Sequence, residues 1–225
     1  MRMLEQGEIS VSMCPVYNTD LAYLFYGRPA YKPAQGLAPS GIIELAPVCL
    51  IVDPSLIASA VRLLPFDSGG FKRYENIIGP GHNLVEFELG PDPTSAQRTV
   101  STFFDTNRNY YEQKPTLSEA AISFADMTAR GYARLIADGS IRADDDRCAT
   151  VEVQFSAPVA LDGALRGIVA PATVLEDPIV SSVLARSAGV IPLSYKLYGR
   201  TDTIGLMYAL YERVETFLTD AGSLS

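Results

Sequence analysis

The chain has 225 residues, of which 48% are hydrophobic and 20% are charged, and its formal net charge is −8. This composition excludes a disordered polypeptide, and no apolar run approaches the roughly 20 residues that cross a bilayer. The acidic charge repels phosphate backbones and anionic membranes, so nucleic acid could bind only at a local basic patch.

The length of the chain indicates the number of domains, and its N-terminal residues indicate the cellular compartment. The chain is long enough for one sizeable core, which predicts a single domain over residues 1–225. Residues 1–8 carry acids where a signal peptide has an apolar stretch, which predicts a cytoplasmic protein. Cys14, Cys49 and Cys148 are widely spaced and lack C-x-x-C pairs, so we expect core residues and no metal site.

The stretch from Tyr23 to Lys32 concentrates aromatic residues and cations. Its first residues alternate as in a strand, and Gly27 and Pro29 break that strand because glycine tolerates any backbone region and proline fixes its own φ. Proline also biases the preceding residue away from helix, so Arg28 is predicted at a corner between strand and loop.

Arg28 is the first candidate binding residue. A guanidinium flanked by Tyr26 and Tyr31 suits a diphosphate beside a flat ring such as nicotinamide or adenine. An arginine that pairs with a carboxylate and braces a turn is the alternative interpretation.

Periodicity and turn residues predict the other elements of the chain. The N-terminal half contains, in order, a helix end stopped by Gly7, a loop over 32–41, a strand buried on both faces over 47–53, helical turns over 54–60, a half-buried strand over 84–89 and a polar loop over 90–97. The C-terminal half contains a helix over 116–139 that opens with a capping box, a solvated charge run over 144–147, strands over 148–155 and 165–170, a helix over 176–186, an edge strand over 190–195 and a helix over 204–218.

Two loops carry open alternatives. Residues 100–111 place aromatic anchors around a polar tip, which is typical of a substrate-facing loop or of a loop pinned to the core. Residues 67–69, Asp-Ser-Gly, could offer backbone amides to a ligand or form an Asx turn. Strands and helices interleave without a βαβ rhythm or a G-x-G-x-x-G motif, so the sequence predicts a mixed α+β fold.

Glu152 is the second candidate site residue. Apolar residues alternate with polar ones from Cys148 to Phe155, and Glu152 is the acid among the polar set. A glutamate that projects from a strand into a cleft can stabilise the positive charge that develops at a sugar carbon. A solvent-facing strand glutamate is the alternative.

Three segments in this order resemble the ADP-ribosyltransferase fold, and most closely the DarT-type toxins that ADP-ribosylate DNA. Residues 3–9, Met-Leu-Glu-Gln-Gly-Glu-Ile, resemble the helix end that follows the first strand of that fold. Residues 23–31 resemble the aromatic strand that delivers the NAD-contacting arginine. Residues 147–153, followed by 165–171, resemble the strand of the catalytic glutamate and the strand after it.

The resemblance implies a fold, a substrate and roles for named residues. The implied fold is a single mixed α+β domain with a central split, a largely antiparallel sheet and flanking helices. The implied activity is transfer of ADP-ribose from NAD to a nucleic acid or protein acceptor, in a toxin or phage-defence setting with an antitoxin or other protein as partner. Arg28 and Glu152 would be catalytic, and Tyr26, Arg28 and Tyr31 would contact NAD, which is a substrate here.

The sequence also leaves two other functions open. Water as acceptor would make the protein an NAD glycohydrolase, and a catalytically silent domain could use the same cleft to bind a nucleotide or a protein. The family's first strand supplies a histidine, whereas His82 follows Gly79-Pro-Gly and is predicted to lie in a loop. That difference implies a start upstream of Met1, another mode of NAD binding, or lost catalysis.

Overall fold

The structure is a computed structural model that describes residues 2–31, 43–142, 145–199 and 202–224. The strands are β1 (Glu8–Ile9), β2 (Ser12–Cys14), β3 (Thr19–Phe25), β4 (Cys49–Val52), β5 (Arg62–Leu64), β6 (Glu152–Phe155), β7 (Val159–Ala160), β8 (Leu165–Pro171) and β9 (Ile191–Tyr195). The α-helices are α1 (Arg2–Gln6), α2 (Phe71–Ile78), α3 (Pro93–Phe103), α4 (Asn107–Tyr111), α5 (Met127–Ala137), α6 (Gly139–Arg142), α7 (Ala172–Leu175), α8 (Pro178–Arg186) and α9 (Thr203–Asp220). The predicted loop over 32–41 lies outside the described residues.

The strands pair mainly in the antiparallel direction. One sheet has the order β2-β3-β6-β5, a second has the order β4-β8-β9, and β1 pairs with β7. β8 and β9 run parallel, and the other pairs among the described strands run antiparallel. Helices flank these sheets, so the predicted mixed α+β class is confirmed.

The β2-β3-β6-β5 sheet has an apolar face and a polar face. Residues directly opposite each other in an antiparallel pair point to the same side. The apolar face therefore carries Ala22, Leu24, Leu63, Val153 and Phe155, and it joins one core cluster with residues of α2, α3 and α5. The other face, here called the polar face because it holds the charged and amide side chains, carries Tyr23, Phe25, Arg62, Leu64, Glu152 and Gln154. A second cluster packs α9 against β8 and β9.

Local signals explain the helix starts. Asp92, Asp177 and Asp202 cap α3, α8 and α9, each accepting a hydrogen bond from a backbone N–H of the first turn. Proline stands at the start of α3 and of α8, where its missing N–H costs no hydrogen bond. The predicted polar loop over 90–97 is therefore wrong, because Asp92-Pro93 begins a helix there.

Several other predicted elements are confirmed. Gly7 ends α1 with a φ of +70°. The helical turns over 54–60 are a 3-10 helix, Pro54–Ser59, and β8, α8, the edge strand β9 and α9 lie where periodicity puts them. β4 also forms as predicted, but it lies at a sheet edge and is half-buried, so its predicted burial on both faces is wrong.

The predicted helix over 116–139 forms only in its second half, as α5. Glu119 does not close a capping box; instead it pairs with Arg130 at 2.7 Å and Arg134 at 2.6 Å from a separate 3-10 turn. Phe124, which periodicity places in the core, is 81% exposed and lies against the Arg130 guanidinium. The Glu119 carboxylate therefore binds two arginines of α5 and does not cap a helix.

The predicted strand over 84–89 is also wrong, since Leu84–Phe87 forms a 3-10 helix. Phe87 is buried against Phe66, with ring centroids 5.1 Å apart, while Val85 is 68% exposed. The predicted loop over 100–111 is wrong, because the segment holds the end of α3 and all of α4. Its aromatic anchors are nevertheless pinned to the core, since Phe104 and Tyr110 are buried in the main cluster.

The hydroxyl of Tyr110 lies between β3 and β6 where these strands separate. Tyr26 N–H donates to the Val151 carbonyl at 2.9 Å, which is one of the two bonds expected for an antiparallel pair. In place of the second bond, Val151 N–H donates to the Tyr110 hydroxyl at 2.9 Å, and that hydroxyl donates to the Tyr26 carbonyl at 2.9 Å. Gly27 follows with a φ of +69°, and a Cβ there would lie 3.2 Å from the Tyr110 ring.

We expect Tyr110→Phe to lower the free energy of unfolding by about 2 kcal/mol, because it leaves a buried N–H and a buried C=O without their shared partner. Denaturant unfolding measures the change. Tyr208→Phe is the control, since Tyr208 is 66% exposed and should change stability by less than about 0.5 kcal/mol. An unchanged Tyr110→Phe stability would mean that the strands close and pair directly.

Candidate functional site

Arg28 is buried at the end of β3. Its side chain is 5% exposed, and its NH2 lies 3.9 Å from Asp146 Oδ1, a long ion pair. The guanidinium also lies over the ring of Tyr211 in α9, 5.6 Å from the centroid. Its Nε and NH1 atoms are buried and have no hydrogen-bond partner among the described residues. Buried donors of this kind are costly unless something accepts from them.

Asp146 joins the elements around Arg28. It follows Asp145 at the start of a 3-10 turn, Asp146–Ala149, that leads into β6. Its carboxylate accepts a hydrogen bond from the Tyr211 hydroxyl, and its backbone carbonyl accepts from Gln113 Nε2 at 2.8 Å. Burial raises the pKa of Tyr211, and the Asp146 charge raises it further. Tyr211 therefore stays protonated and donates.

Tyr26 and Tyr31 occupy different surroundings. Tyr26 packs on Tyr110, with centroids 6.4 Å apart, against the core on the face opposite Glu152. Tyr31 packs against the α9 cluster, and its carbonyl accepts from Asp146 N–H at 3.3 Å. The ring over which Arg28 lies is that of Tyr211, which the sequence did not single out.

Glu152 is buried on the polar face of the sheet. It is opposite Phe25 in β3 and Leu64 in β5, and it is 1% exposed. The alternative of a solvent-facing glutamate is therefore wrong. Its Oε1 accepts from Gln154 Nε2 at 2.6 Å and from Ser68 N–H at 3.4 Å.

The turn that contains Ser68 supplies a backbone N–H to the Glu152 carboxyl group. Asp67 makes no side-chain cap bond there, and the turn closes through Gly70 N–H to the Asp67 carbonyl at 3.0 Å. Of the two alternatives for residues 67–69, the Asx turn is wrong, and the Ser68 amide is directed at a carboxylate of the protein itself.

Asp67 places a second carboxyl group against Glu152. Asp67 is 7% exposed, and Ser68, the residue that follows it, bonds to Glu152, so the two carboxyl groups are buried close together. Burial raises the pKa of Glu152 to about 7, and the charge of Asp67 contributes to this rise, while the bonds from Gln154 and Ser68 oppose it. Burial also raises the pKa of Asp67, against the lowering effect of Arg147. A carboxyl that titrates near neutral pH can act in acid–base or electrostatic catalysis.

The predicted solvated charge run over 144–147 is wrong for its described residues. Asp145 is 1% exposed and binds Arg147 Nε at 2.9 Å, Arg73 NH1 at 3.1 Å and the Tyr74 hydroxyl at 3.2 Å. Arg147 NH1 then lies 3.1 Å from Asp67 Oδ2, an ion pair whose angles fall short of a hydrogen bond. Paired charges of opposite sign make this burial tolerable.

Half-buried aromatic residues surround Glu152 on its own face of the sheet. Phe25 is its direct neighbour across β3, and Tyr23 is opposite Gln154. Arg62 NH1 donates to Gln154 Oε1 at 2.7 Å and stacks on Tyr17 at 3.8 Å. These rings, together with a carboxylate, offer a surface that suits a flat cation.

Sheet register places Arg28 and Glu152 at the same end of the sheet. Phe25 is the register partner of Glu152, and Arg28 lies three residues beyond it. Strand spacing and the reach of three residues limit the separation of the two Cα atoms to about 16 Å. Asp146 contacts Arg28, and the adjacent Arg147 contacts Asp67, so one turn connects both predicted residues.

Sequence reasoning missed Asp67, Arg147, Gln154 and Tyr211. Strand alternation already puts Gln154 beside Glu152, so that residue had a signal in the pattern. Arg147 is close to Glu152 in the sequence, in the turn before β6, but no local pattern pairs it with Asp67, and Asp67 and Tyr211 contact the site from distant parts of the chain. His82 lies in a loop as predicted, where its Nδ1 is 2.8 Å from Glu86 Oε2.

No protein-family model, curated protein or solved structure significantly matches the chain. Within the described residues, none of the helices has the length and apolar character needed to cross a bilayer.

We expect Glu152 to make the protein less stable as pH rises. Its pKa is about 7 in the folded chain and near the usual 4.5 when unfolded, so the folded state binds more protons between these values and stability falls through this window. The gap of about 2.5 pH units corresponds to about 3 kcal/mol. Glu152→Gln mimics the protonated side chain and should abolish this loss.

Denaturant unfolding at pH 5 and at pH 8 measures the effect. Wild type and Glu152→Gln should be similar at the lower pH, and the variant should be more stable at the higher one. Glu212→Gln, at an exposed position of α9, is the matched control. Its free energy of unfolding should fall between pH 5 and pH 8 as much as that of wild type. If Glu152→Gln lost as much stability between pH 5 and pH 8 as wild type does, the assigned pKa would be contradicted.

Proposed function

We propose that the protein is an NAD-dependent ADP-ribosyltransferase of toxin or phage-defence type, with an ADP-ribosyltransferase-like fold. The observation that supports this most is the pairing of β3 with β6. It brings Glu152, a buried carboxyl with a pKa of about 7, to the end of the sheet where Arg28 holds unpartnered guanidinium donors. An anion-binding group suits the diphosphate of NAD, and a carboxyl that can face a sugar suits the positive charge that develops when the nicotinamide bond breaks.

Arg28 is the proposed diphosphate contact. Its ion pair with Asp146 uses NH2 at 3.9 Å, which leaves Nε and NH1 as the donors for a ligand. The contact from NH2 to Asp146 is too long for a hydrogen bond, so NH2 can join Nε or NH1, each of which shares an edge of the guanidinium with it, in a two-pronged contact with phosphate oxygens. Packing on Tyr211 and contact with Asp146 fix the direction of the guanidinium before a ligand arrives.

Glu152 is the proposed transition-state residue. When the bond between ribose and nicotinamide breaks, nicotinamide leaves with the electron pair and positive charge develops on the ribose. A carboxylate fixed by Gln154 and the Ser68 amide stabilises that charge without reorganising. The acceptor then attacks the ribose carbon and loses a proton.

The aromatic groups divide between the two faces of the sheet. Tyr23 and Phe25 lie on the face of Glu152, which supports a place for the cationic nicotinamide ring there. Tyr26 and Tyr31 remain predicted NAD contacts on the side of Arg28. NAD itself enters as a substrate, and a protein or nucleic acid is the proposed acceptor.

One observation favours the second candidate, a catalytically silent domain that binds a nucleotide or a protein. Glu152 is 1% exposed and its Oε1 accepts bonds from Gln154 and Ser68, as in a structural carboxyl network. Incubation of the pure protein with NAD, with free nicotinamide as the readout, separates the two candidates. Release without a macromolecular acceptor would identify NAD glycohydrolase activity.

We expect Glu152→Gln to lower the rate of nicotinamide release about a hundredfold or more, with little change in NAD affinity. The substitution keeps the side-chain volume and removes a charge that acts only on the transition state. Initial rates and calorimetric titration at pH 8 give the two quantities. Near wild-type turnover in a folded variant would assign Glu152 to structure.

We expect Arg28→Lys to weaken NAD binding by about 1.5–3 kcal/mol, because a lysine ammonium cannot reproduce the two-pronged contact with the diphosphate. Calorimetry measures the affinity, and Arg213→Lys on the exposed surface of α9 is the control. Equal affinity of wild type and Arg28→Lys would make Arg28 a brace for Asp146 instead.

A further inference from the structure

The contact between Asp67 and Glu152 has a chemical consequence beyond the role proposed for Glu152. Both carboxyl groups are buried, at 7% and 1% exposure, and the N–H of Ser68, the residue that follows Asp67, donates to Glu152 Oε1 at 3.4 Å, so the two groups lie close together. Two carboxylates in such contact repel each other strongly, whereas a carboxylic acid donates well to a carboxylate. One proton held by the pair removes this repulsion.

The surroundings decide which carboxyl carries the charge. Arg147 NH1 lies 3.1 Å from Asp67 Oδ2, and Arg147 is itself held by Asp145 at 2.9 Å. No cation makes a comparable contact with Glu152 among the described residues; its neighbours are the amide of Gln154 and the backbone of Ser68. The cation therefore favours the charge on Asp67 and leaves the proton on Glu152.

The other ionisable groups that face the pair do not reverse this assignment. Tyr17 and Tyr23 approach from the turn after β2 and from β3, and burial raises the pKa of both, so they are neutral near pH 7. Asp145 adds a negative charge from the turn before β6, where Arg147 and Arg73 offset it. Arg62 in β5 contacts Gln154 rather than a carboxyl of the pair.

We infer that Asp67 and Glu152 form one proton-sharing unit, with Arg147 as the positioning residue that keeps the charge on Asp67 and the proton on Glu152. The pair is then the group that titrates at the site, rather than Glu152 alone. The catalytic use of the pair rests on the proposed function, because Glu152 must lose this proton before it can stabilise a cationic sugar. The sharing of the proton does not rest on it.

Carboxyl-carbon NMR titration of protein labelled in Asp and Glu tests the unit without NAD, and Glu152→Gln assigns the signal. Asp67→Asn removes the repelling charge, so the Glu152 midpoint should fall by about one pH unit or more. Arg147→Met removes the cation, so the upper midpoint of the pair should rise. Arg147→Lys keeps a positive charge and should stay close to wild type.

Asp53→Asn is the control, because it also removes a carboxylate that is paired with an arginine. Asp53 follows β4 and lies 2.7 Å from Arg166 of β8, in the other sheet. It should leave the Glu152 midpoint unchanged. A Glu152 midpoint that is the same in wild type and Asp67→Asn would overturn the inference. If Asp67→Asn does not fold, an unchanged upper midpoint in Arg147→Met overturns it instead.

The rate of nicotinamide release against pH distinguishes this inference from the proposed function. If both hold, the midpoint of the rate profile should follow the NMR midpoint of the pair through Asp67→Asn and Arg147→Met. Coupled titration without any nicotinamide release would leave the proton-sharing unit intact and would refute the transferase function. If nicotinamide is released and the pH dependence of its rate is the same in wild type, Asp67→Asn and Arg147→Met, the proton-sharing unit would be refuted.

Discussion

The hydroxyl of Tyr110 is the constraint on which the arrangement of the site depends. It replaces one hydrogen bond between Tyr26 and Val151, so β3 and β6 stay connected while they separate. An unpaired N–H or C=O in the core costs about 1–3 kcal/mol, so α4 is fixed relative to both strands. The neighbouring Tyr111 hydroxyl donates to the Tyr211 carbonyl at 2.6 Å and ties α9 to the same point. Arg28 is buried in the space that these contacts define.

Pairs of opposite charge extend from this point to the polar face of the sheet. Arg28 faces Asp146, and after it Asp145 faces Arg147, which in turn faces Asp67. Each opposite charge offsets part of the desolvation of its neighbour. Glu152 ends the series without a cation of its own, and burial together with the charge of Asp67 raises its pKa to about 7. A structure selected for stability alone would favour an apolar residue there, and such exceptions are concentrated at functional sites.

Local sequence signals predicted the elements whose cause is local. Gly7 ends a helix because glycine adopts positive φ freely, and Asp177 followed by proline begins α8 because both suit a first turn. The same Asp-Pro signal at Asp92 was overlooked in favour of the polarity of the segment. The helix predicted over 116–139 was wrong for a different reason. Glu119 lies in a separate 3-10 turn and bonds two arginines of α5, and the periodicity of the sequence does not reveal that contact.

The sequence by itself determined the α+β class, the strand alternation that puts Glu152 and Gln154 on one face, and the corner at which Arg28 stands. These features follow from side-chain period and backbone preference, which act over a few residues. Tertiary structure decided that this face is buried, that Asp67 meets Glu152, and that Tyr211 rather than Tyr26 or Tyr31 lies against the guanidinium. Such contacts join residues that are far apart in the chain, and the low dielectric that raises the pKa of Glu152 exists only once the core has closed around it.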